Sequence, residues 1–199
     1  MDKLKRPQTK DRIAEMLRRE ILSGRIEDGQ ELTQEQLAET LKVSRMPVRE
    51  ALQILELEGL LVRLPNRHVR VVGTSELTIY ENMRVIAAIE AEIALILIEK
   101  GIYPDDIGIN DDPEFHNWFS RHIDNPYLRQ ILERLLKVYP QYAWEVCKCS
   151  GQFTEQNKRI LESLYRGDSE ATNRSIQEYY GALAQRMLYH IKECKHEQP

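Results

Sequence analysis

A chain of 199 residues, 42% hydrophobic and 30% charged, is long enough for two domains of ordinary size and too apolar to be disordered. The longest apolar run, 93–98, is far too short to span a bilayer and no secretory signal is visible, so a cytoplasmic protein with no membrane partner is expected. The net charge of −4 argues against a nucleic-acid partner until it is divided: residues 1–75 hold 14 Lys and Arg against 12 Asp and Glu, and residues 76–199 hold 14 against 20.

In chain order, residues 8–24 place Ile13, Met16, Leu17 and Ile21 at helical spacing and close at Gly24, which predicts a first helix. Thr33 and Gln36 have the T-x-x-Q spacing of a capping box and open a second helix at Gln34, with Leu37, Ala38 and Leu41 on its apolar face. Lys42 and Val43 interrupt that pattern. Ser44 then supplies a second N-cap through its hydroxyl, and Pro47 falls in the first turn, where a missing N–H costs little. Val48, Leu52 and Leu55 recur at i, i+4 and i+7 and bury together, so Arg45 and Arg49 point outward. Gly59 ends this third helix, and 61–64 and 68–72 read as two strands around the turn Pro65-Asn66-Arg67. Three helices and a hairpin make residues 1–73 a winged helix-turn-helix domain.

Such a unit sets a helix into the DNA major groove. Arginine suits its leading edge because the planar fork can bond guanine O6 and N7 or clamp a phosphate, and the helix N-terminus favours a phosphate as well. The reading face is assigned to Gln34, Ser44, Arg45, Met46 and Arg49, and the wing to Arg67, His68 and Arg70, which can meet the backbone or the minor groove. Two arginines on a helix are usually solvated charge; here the two-helix spacing and the hairpin behind it outweigh that reading. Basic charge is local, at Lys3, Lys5, Arg6, Arg45, Arg49, Arg67 and Arg70, so affinity should be modest and steeply salt-dependent.

These residues resemble the DNA-binding domain of the GntR family, whose pattern runs L-A-x-x-L-x-V-S-R-x-P-V-R-E-A-L and then E-G-L before the wing. This chain has Asp28-Gly29, Leu37-Ala38, Leu41, Val43-Ser44-Arg45, Pro47-Val48-Arg49-Glu50-Ala51-Leu52 and Glu58-Gly59-Leu60. The resemblance implies that Ser44, Arg45 and Arg49 contact an operator and that Arg67 and its neighbours serve the wing. Met46 stands where the family usually has threonine, Glu35 where many members have a DNA-contacting arginine, and His68 where the wing tip is usually glycine.

The second half shows no strand-like alternation and is expected to be an all-helical bundle of five helices, so the fold class is mainly α. A long helix over 76–100 buries Leu77, Tyr80, Ile89, Ile93 and Ile96 and ends at Gly101. Asp112 caps a helix with Pro113 at its first position, Asn125-Pro126 breaks it, one helix runs from 127 to about 147, and two more cover 152–166 and 168–194. Tyr139, Tyr142 and Trp144 read as core or interface in preference to pocket lining. Cys147, Cys149 and Cys194 read as free thiols, the alternative being a thiolate site with a histidine.

Asp112 and His116, four residues apart, share a helix face on which a carboxylate and an imidazole can hold one metal ion; a capping aspartate and a satisfied histidine would give the same letters. Asp112-Pro113-Glu114-Phe115-His116, Asn125-Pro126 and 160–168 resemble the FCD ligand-binding domain of the FadR subfamily, within residues 74–199. That resemblance implies a divalent metal (Zn, Ni or Mn) held by the aspartate, the histidine and two further histidines. Their places fall here on Asn157 and Tyr179, which are poor ligands and become candidate effector-pocket residues. It further implies a carboxylate effector in a bundle shortened over 102–111.

The expectation is a homodimeric regulator of double-stranded operator DNA, a repressor, modulated by a small organic acid. The alternatives are a ligand-free regulator whose bundle only dimerises and, less favoured, a metal-dependent enzyme using Asp112, His116 and His122. No nucleophile or phosphate loop accompanies that last set.

Overall fold

Residues 8–104, 110–147 and 153–196 are described by a computed structural model. The chain divides into two compact units, one of residues 1–75 with 191–199 and one of residues 76–190.

The first unit is built on three helices, α1 (Thr9–Leu22), α2 (Gln34–Leu41) and α3 (Arg45–Leu57), and three short strands, β1 (Glu31–Leu32), β2 (Leu61–Arg63) and β3 (Val69–Val71). Thr33 opens α2 as expected, its hydroxyl accepting Gln36 N–H at 3.1 Å. The chain then turns through Lys42 in the left-handed region, φ 52°, the corner of the helix-turn-helix. Val48, Ala51, Leu52 and Leu55 of α3 are buried with Ile13, Leu17 and Ile21 of α1. The Arg18 fork grips both oxygens of Glu58 at 2.8 and 2.6 Å and pins α1 to the end of α3. Met16 is a correction, being 38% exposed. The hairpin is as expected, but β1 adds an unforeseen third strand. The order is β1-β3-β2, antiparallel, with Leu32 opposite Val69 and Leu61 opposite Val71. Two residues are too few to leave an alternating pattern.

The second unit holds α4 (Glu76–Glu99), α5 (Asp112–His122), α6 (Pro126–Leu136), α7 (Tyr139–Cys147), α8 (Thr154–Tyr165) and the start of α9 (Ser169–His196). The single helix expected over 127–147 is two helices. Pro140 is the reason: its ring clashes with the carbonyl four residues back, at Leu136, where α6 ends. The expected face of α4 is also corrected. Leu77 is 68% exposed and Tyr80, Ile89 and Ile96 are half-buried, while Ile79, Met83, Ile86, Ala87, Glu90, Ala91, Ile93, Ala94 and Leu97 form the buried stripe. A helix apolar nearly all round does not announce its inner face, and the small alanines allow close packing there. The cap of α5 moves by one residue: Asp111 Oδ1 accepts Glu114 N–H at 2.9 Å, so Asp112 is free to turn inward. The break at Asn125-Pro126 is as expected, and Asn125 itself caps α6 through its side chain.

Cys194 is not part of a disulfide, whereas Lys3, Lys5, Arg6, Cys149, residues 105–109 and the Cys147 side chain lie outside the described residues. Among the described residues no helix is long and apolar enough to cross a membrane.

Candidate nucleic-acid interface and buried polar cluster

The amphipathic pattern of α3 dictates its presentation. With Val48, Leu52 and Leu55 buried against α1, the helix leaves Arg45, Met46 and Arg49 exposed at its N-terminal end. Gln34, at the first position of α2, and Arg67, at the turn of the wing, meet Arg49 around a concavity of about 310 Å³. Its fourth lining residue is Arg63 on β2, absent from the expected set. A basic residue flanking a predicted wing turn was the available signal. Arg63 Nη2 donates to Glu56 at 2.8 Å, while no ion pair engages Arg49 or Arg67 among the described residues. Two guanidiniums without ion pairs around one concavity have the chemistry to take a phosphate oxygen.

The remaining predicted contacts are placed differently. Arg45 pairs with Glu35 of α2, so its fork is held by a carboxylate on the reading face. Ser44 is the N-cap of α3 by backbone geometry, yet its hydroxyl makes no capping hydrogen bond, contrary to expectation. His68 and Arg70 both lean on Glu31: His68 Nδ1 lies 3.5 Å from one carboxylate oxygen and Arg70 Nη2 lies 3.0 Å from the other. Arg70, with His68 adding to it, holds the Glu31 carboxyl below its ordinary range. Arg67 takes a left-handed conformation, φ 67°, and the Asn66 side chain accepts His68 N–H at 3.1 Å, which shapes the tip.

The second unit gathers the other predicted residues. His116 and Asn157 are fully buried and Asp112 nearly so. Asn157 Nδ2 donates to Asp112 Oδ1 at 2.7 Å. Tyr179, also fully buried, lies with its ring centroid 4.0 Å from that of His116 and accepts Trp144 Nε1–H at 2.7 Å. Sequence reasoning missed Glu90 of α4, whose Oε1 is 2.6 Å from His116 Nδ1 and whose Oε2 accepts Tyr180 OH at 2.6 Å. A carboxylate inside an apolar helical stripe was the signal. His122 lies apart from the cluster, stacked on Trp118 with Nδ1 2.8 Å from the Trp118 carbonyl.

Burial sets the protonation of the cluster. It raises the Asp112 carboxyl, against the pull of Asn157, His116 and Tyr179. Burial, reinforced by the Asp112 charge, drives the Tyr179 phenol well above its usual range, and burial with Glu90 does the same for Tyr180. Both tyrosines are therefore neutral hydroxyls. Beside the cluster a concavity of about 450 Å³ is lined by Pro113, Asn117, Leu136, Lys137, Gln141, Trp144 and Glu145, so Trp144 borders both. Tyr139 and Tyr142 are buried in the core.

The residues do not fit a resident divalent metal. Among the described residues no group of three or more His, Cys, Asp and Glu is arranged to hold one. Asp112 already accepts from Asn157, and a phenol held neutral by burial is a poor ligand. One observation runs the other way: His116 Nε2 is buried with no hydrogen-bond partner.

A three-helix unit with a wing and arginines on its second motif helix defines the first unit as a winged helix-turn-helix DNA-binding domain. Residues 9–71 match the model of the bacterial regulatory proteins, gntR family. The gluconate operon transcriptional repressor of Bacillus subtilis is 31% identical over 160 residues, which cover 70% of this chain and 65% of that protein, just under two thirds of its length. Two solved structures share the fold. A putative GntR transcriptional regulator from Rhodococcus sp. RHA1 matches with TM-score 0.56 and 21% identity over 90% of this chain and 97% of its own. McbR/YncC of E. coli matches with TM-score 0.51 and 20% identity over 96% and 99%.

Proposed function

We propose that the protein is a cytoplasmic, sequence-specific transcription regulator, a repressor, that binds a pseudo-palindromic operator as a homodimer. The observation that carries this is the concavity shared by Gln34, Arg49, Arg63 and Arg67, because it joins the recognition helix to the wing around one arginine-lined space. In this reading Arg49 and Arg45 read base edges, Arg63 and Arg67 take a backbone phosphate, and the unused Ser44 hydroxyl with the α3 N-terminus takes another. Two such heads lie about one helical turn apart on the duplex. The repressor assignment and a small hydroxy-acid effector are supported by the name of the Bacillus subtilis relative.

The concavity beside Trp144 offers Lys137 to a carboxylate, and the amides of Asn117 and Gln141 to hydroxyls. A second reading, in which the bundle only dimerises, is favoured by the sealing of Asn157 and Tyr179 inside the core.

Selection of tight binders from a random duplex library, followed by melts of the protein with gluconate and other organic acids, tests both parts. The proposal expects a motif of two related half-sites and a raised melting temperature with at least one acid, since a ligand bound only by the folded state stabilises it. No enriched motif would refute the DNA reading. A motif with no acid shifting the melt would favour the bundle that only dimerises.

A further inference from the structure

In the second unit buried polar side chains of four helices meet, Glu90 of α4, Asp112 and His116 of α5, Asn157 of α8, and Tyr179 and Tyr180 of α9, with the half-buried Trp144 of α7 beside them. The FCD resemblance of this unit implies a metal at that place. We propose instead that the cluster is a metal-free hydrogen-bonded network in which Glu90, from a different helix, is the positioning residue for His116.

Three observations carry this. The first is the loss of ligands. Of four metal-binding side chains implied by the resemblance, only Asp112 and His116 are present, and Asn157 amide N–H is already directed at Asp112 at 2.7 Å. The second is space. The Tyr179 ring lies against the imidazole at a centroid distance of 4.0 Å, and its oxygen is anchored by Trp144 at 2.7 Å, so a neutral phenol stands where an imidazole would have stood. The third is Glu90 itself. A fully buried carboxylate is costly unless both oxygens are satisfied, and here both are, at 2.6 Å each, by His116 and Tyr180.

Tyr180 remains a neutral donor, so Glu90 acts as acceptor at both oxygens and the shared proton with His116 belongs on Nδ1. That bond sets the tautomer and orientation of the ring. A carboxylate on the far nitrogen of a histidine also supports metal sites, so Glu90 alone does not separate the two cases. The missing ligands do, and the buried Nε2 is the atom through which the inference can fail.

The test uses the full-length protein, produced in medium supplemented with zinc, nickel and manganese and dialysed without chelator. Elemental analysis is expected to find metal well below one ion per chain, with the same melting temperature in EDTA and in excess of each metal. Stoichiometric metal that disappears in His116→Ala would overturn the proposal. The double variant Asn157→His/Tyr179→His restores the missing ligands and is expected to take up one metal per folded chain; a folded double variant that binds none would also count against the ligand argument. Imidazole nitrogen shifts then test Glu90 without depending on that variant. In the native protein His116 should show a protonated Nδ1, and Glu90→Gln should change the nitrogen shifts of that ring. Unchanged His116 signals in a folded Glu90→Gln protein would overturn the positioning role.

Discussion

Asp112 Oδ1 accepts a 2.7 Å hydrogen bond from Asn157 Nδ2, 45 residues along the chain, because its neighbour Asp111 takes over the capping of α5. A one-residue offset at a helix start turns a surface aspartate into a buried one. The Asp112 carboxyl is raised from its ordinary 3.8, burial being the largest cause. The folded state thus holds this proton more tightly than the unfolded chain. The stabilisation from this group is complete below 3.8 and is lost as pH rises through the higher folded value. Asp112→Asn keeps an acceptor for Asn157 without a titration, so its stability relative to the native protein should improve on going from about pH 3 to about pH 7. Urea unfolding across that range checks it, and a pH-independent difference would refute it.

Glu90 and His116 are both fully buried, so removing one leaves the other unpaired in a dry interior. Glu90→Ala should cost roughly 3–5 kcal/mol. The double variant Glu90→Ala/His116→Ala should cost clearly less than the two single losses together. Additive losses in denaturant melts would mean that the pair is not coupled.

At the DNA face, Arg49→Ala should cost on the order of 1–3 kcal/mol of operator affinity and relax the preference for a base. Arg67→Ala should weaken binding similarly on all sequences and lower the salt slope by about 1 for each head. Fluorescence anisotropy with the selected duplex at several salt concentrations separates them. Equal effects of both variants on base preference would contradict the division between α3 and wing.

Thr33 and Ser44 stand at equivalent caps of α2 and α3, but only the Thr33 hydroxyl bonds its helix. Thr33→Ala should cost about 1 kcal/mol of stability. Ser44→Ala should cost measurably less while weakening DNA binding. Chemical denaturation of the two variants decides; a larger stability loss at Ser44 would show that its hydroxyl does cap α3.

The parts of the fold that were legible in the sequence are those set by neighbours along the chain. The α2–turn–α3 unit rests on a T-x-x-Q cap, a serine, a proline in a first turn and an i, i+4, i+7 stripe, all between Thr33 and Leu55. Local signals single out Arg49 and Arg67, whereas the place of Arg63 beside them depends on how the hairpin returns toward α3. In the second unit the break at Pro140 is likewise local, a proline in the first turn of α7. The inner face of α4 was not readable, since isoleucines and leucines occur on nearly all of its sides.

By itself the sequence determined the winged helix-turn-helix, its arginine-bearing edge and the helical nature of the second half, because capping, periodicity and turn chemistry act over a few residues. Only the tertiary structure decided that Arg63 joins Arg49 and Arg67, that Asp111 rather than Asp112 caps α5, and that Glu90 holds His116. Those outcomes depend on which helix faces meet inside a core. There, satisfying a buried carboxylate or imidazole outweighs any local preference, and the partner comes from a distant part of the chain.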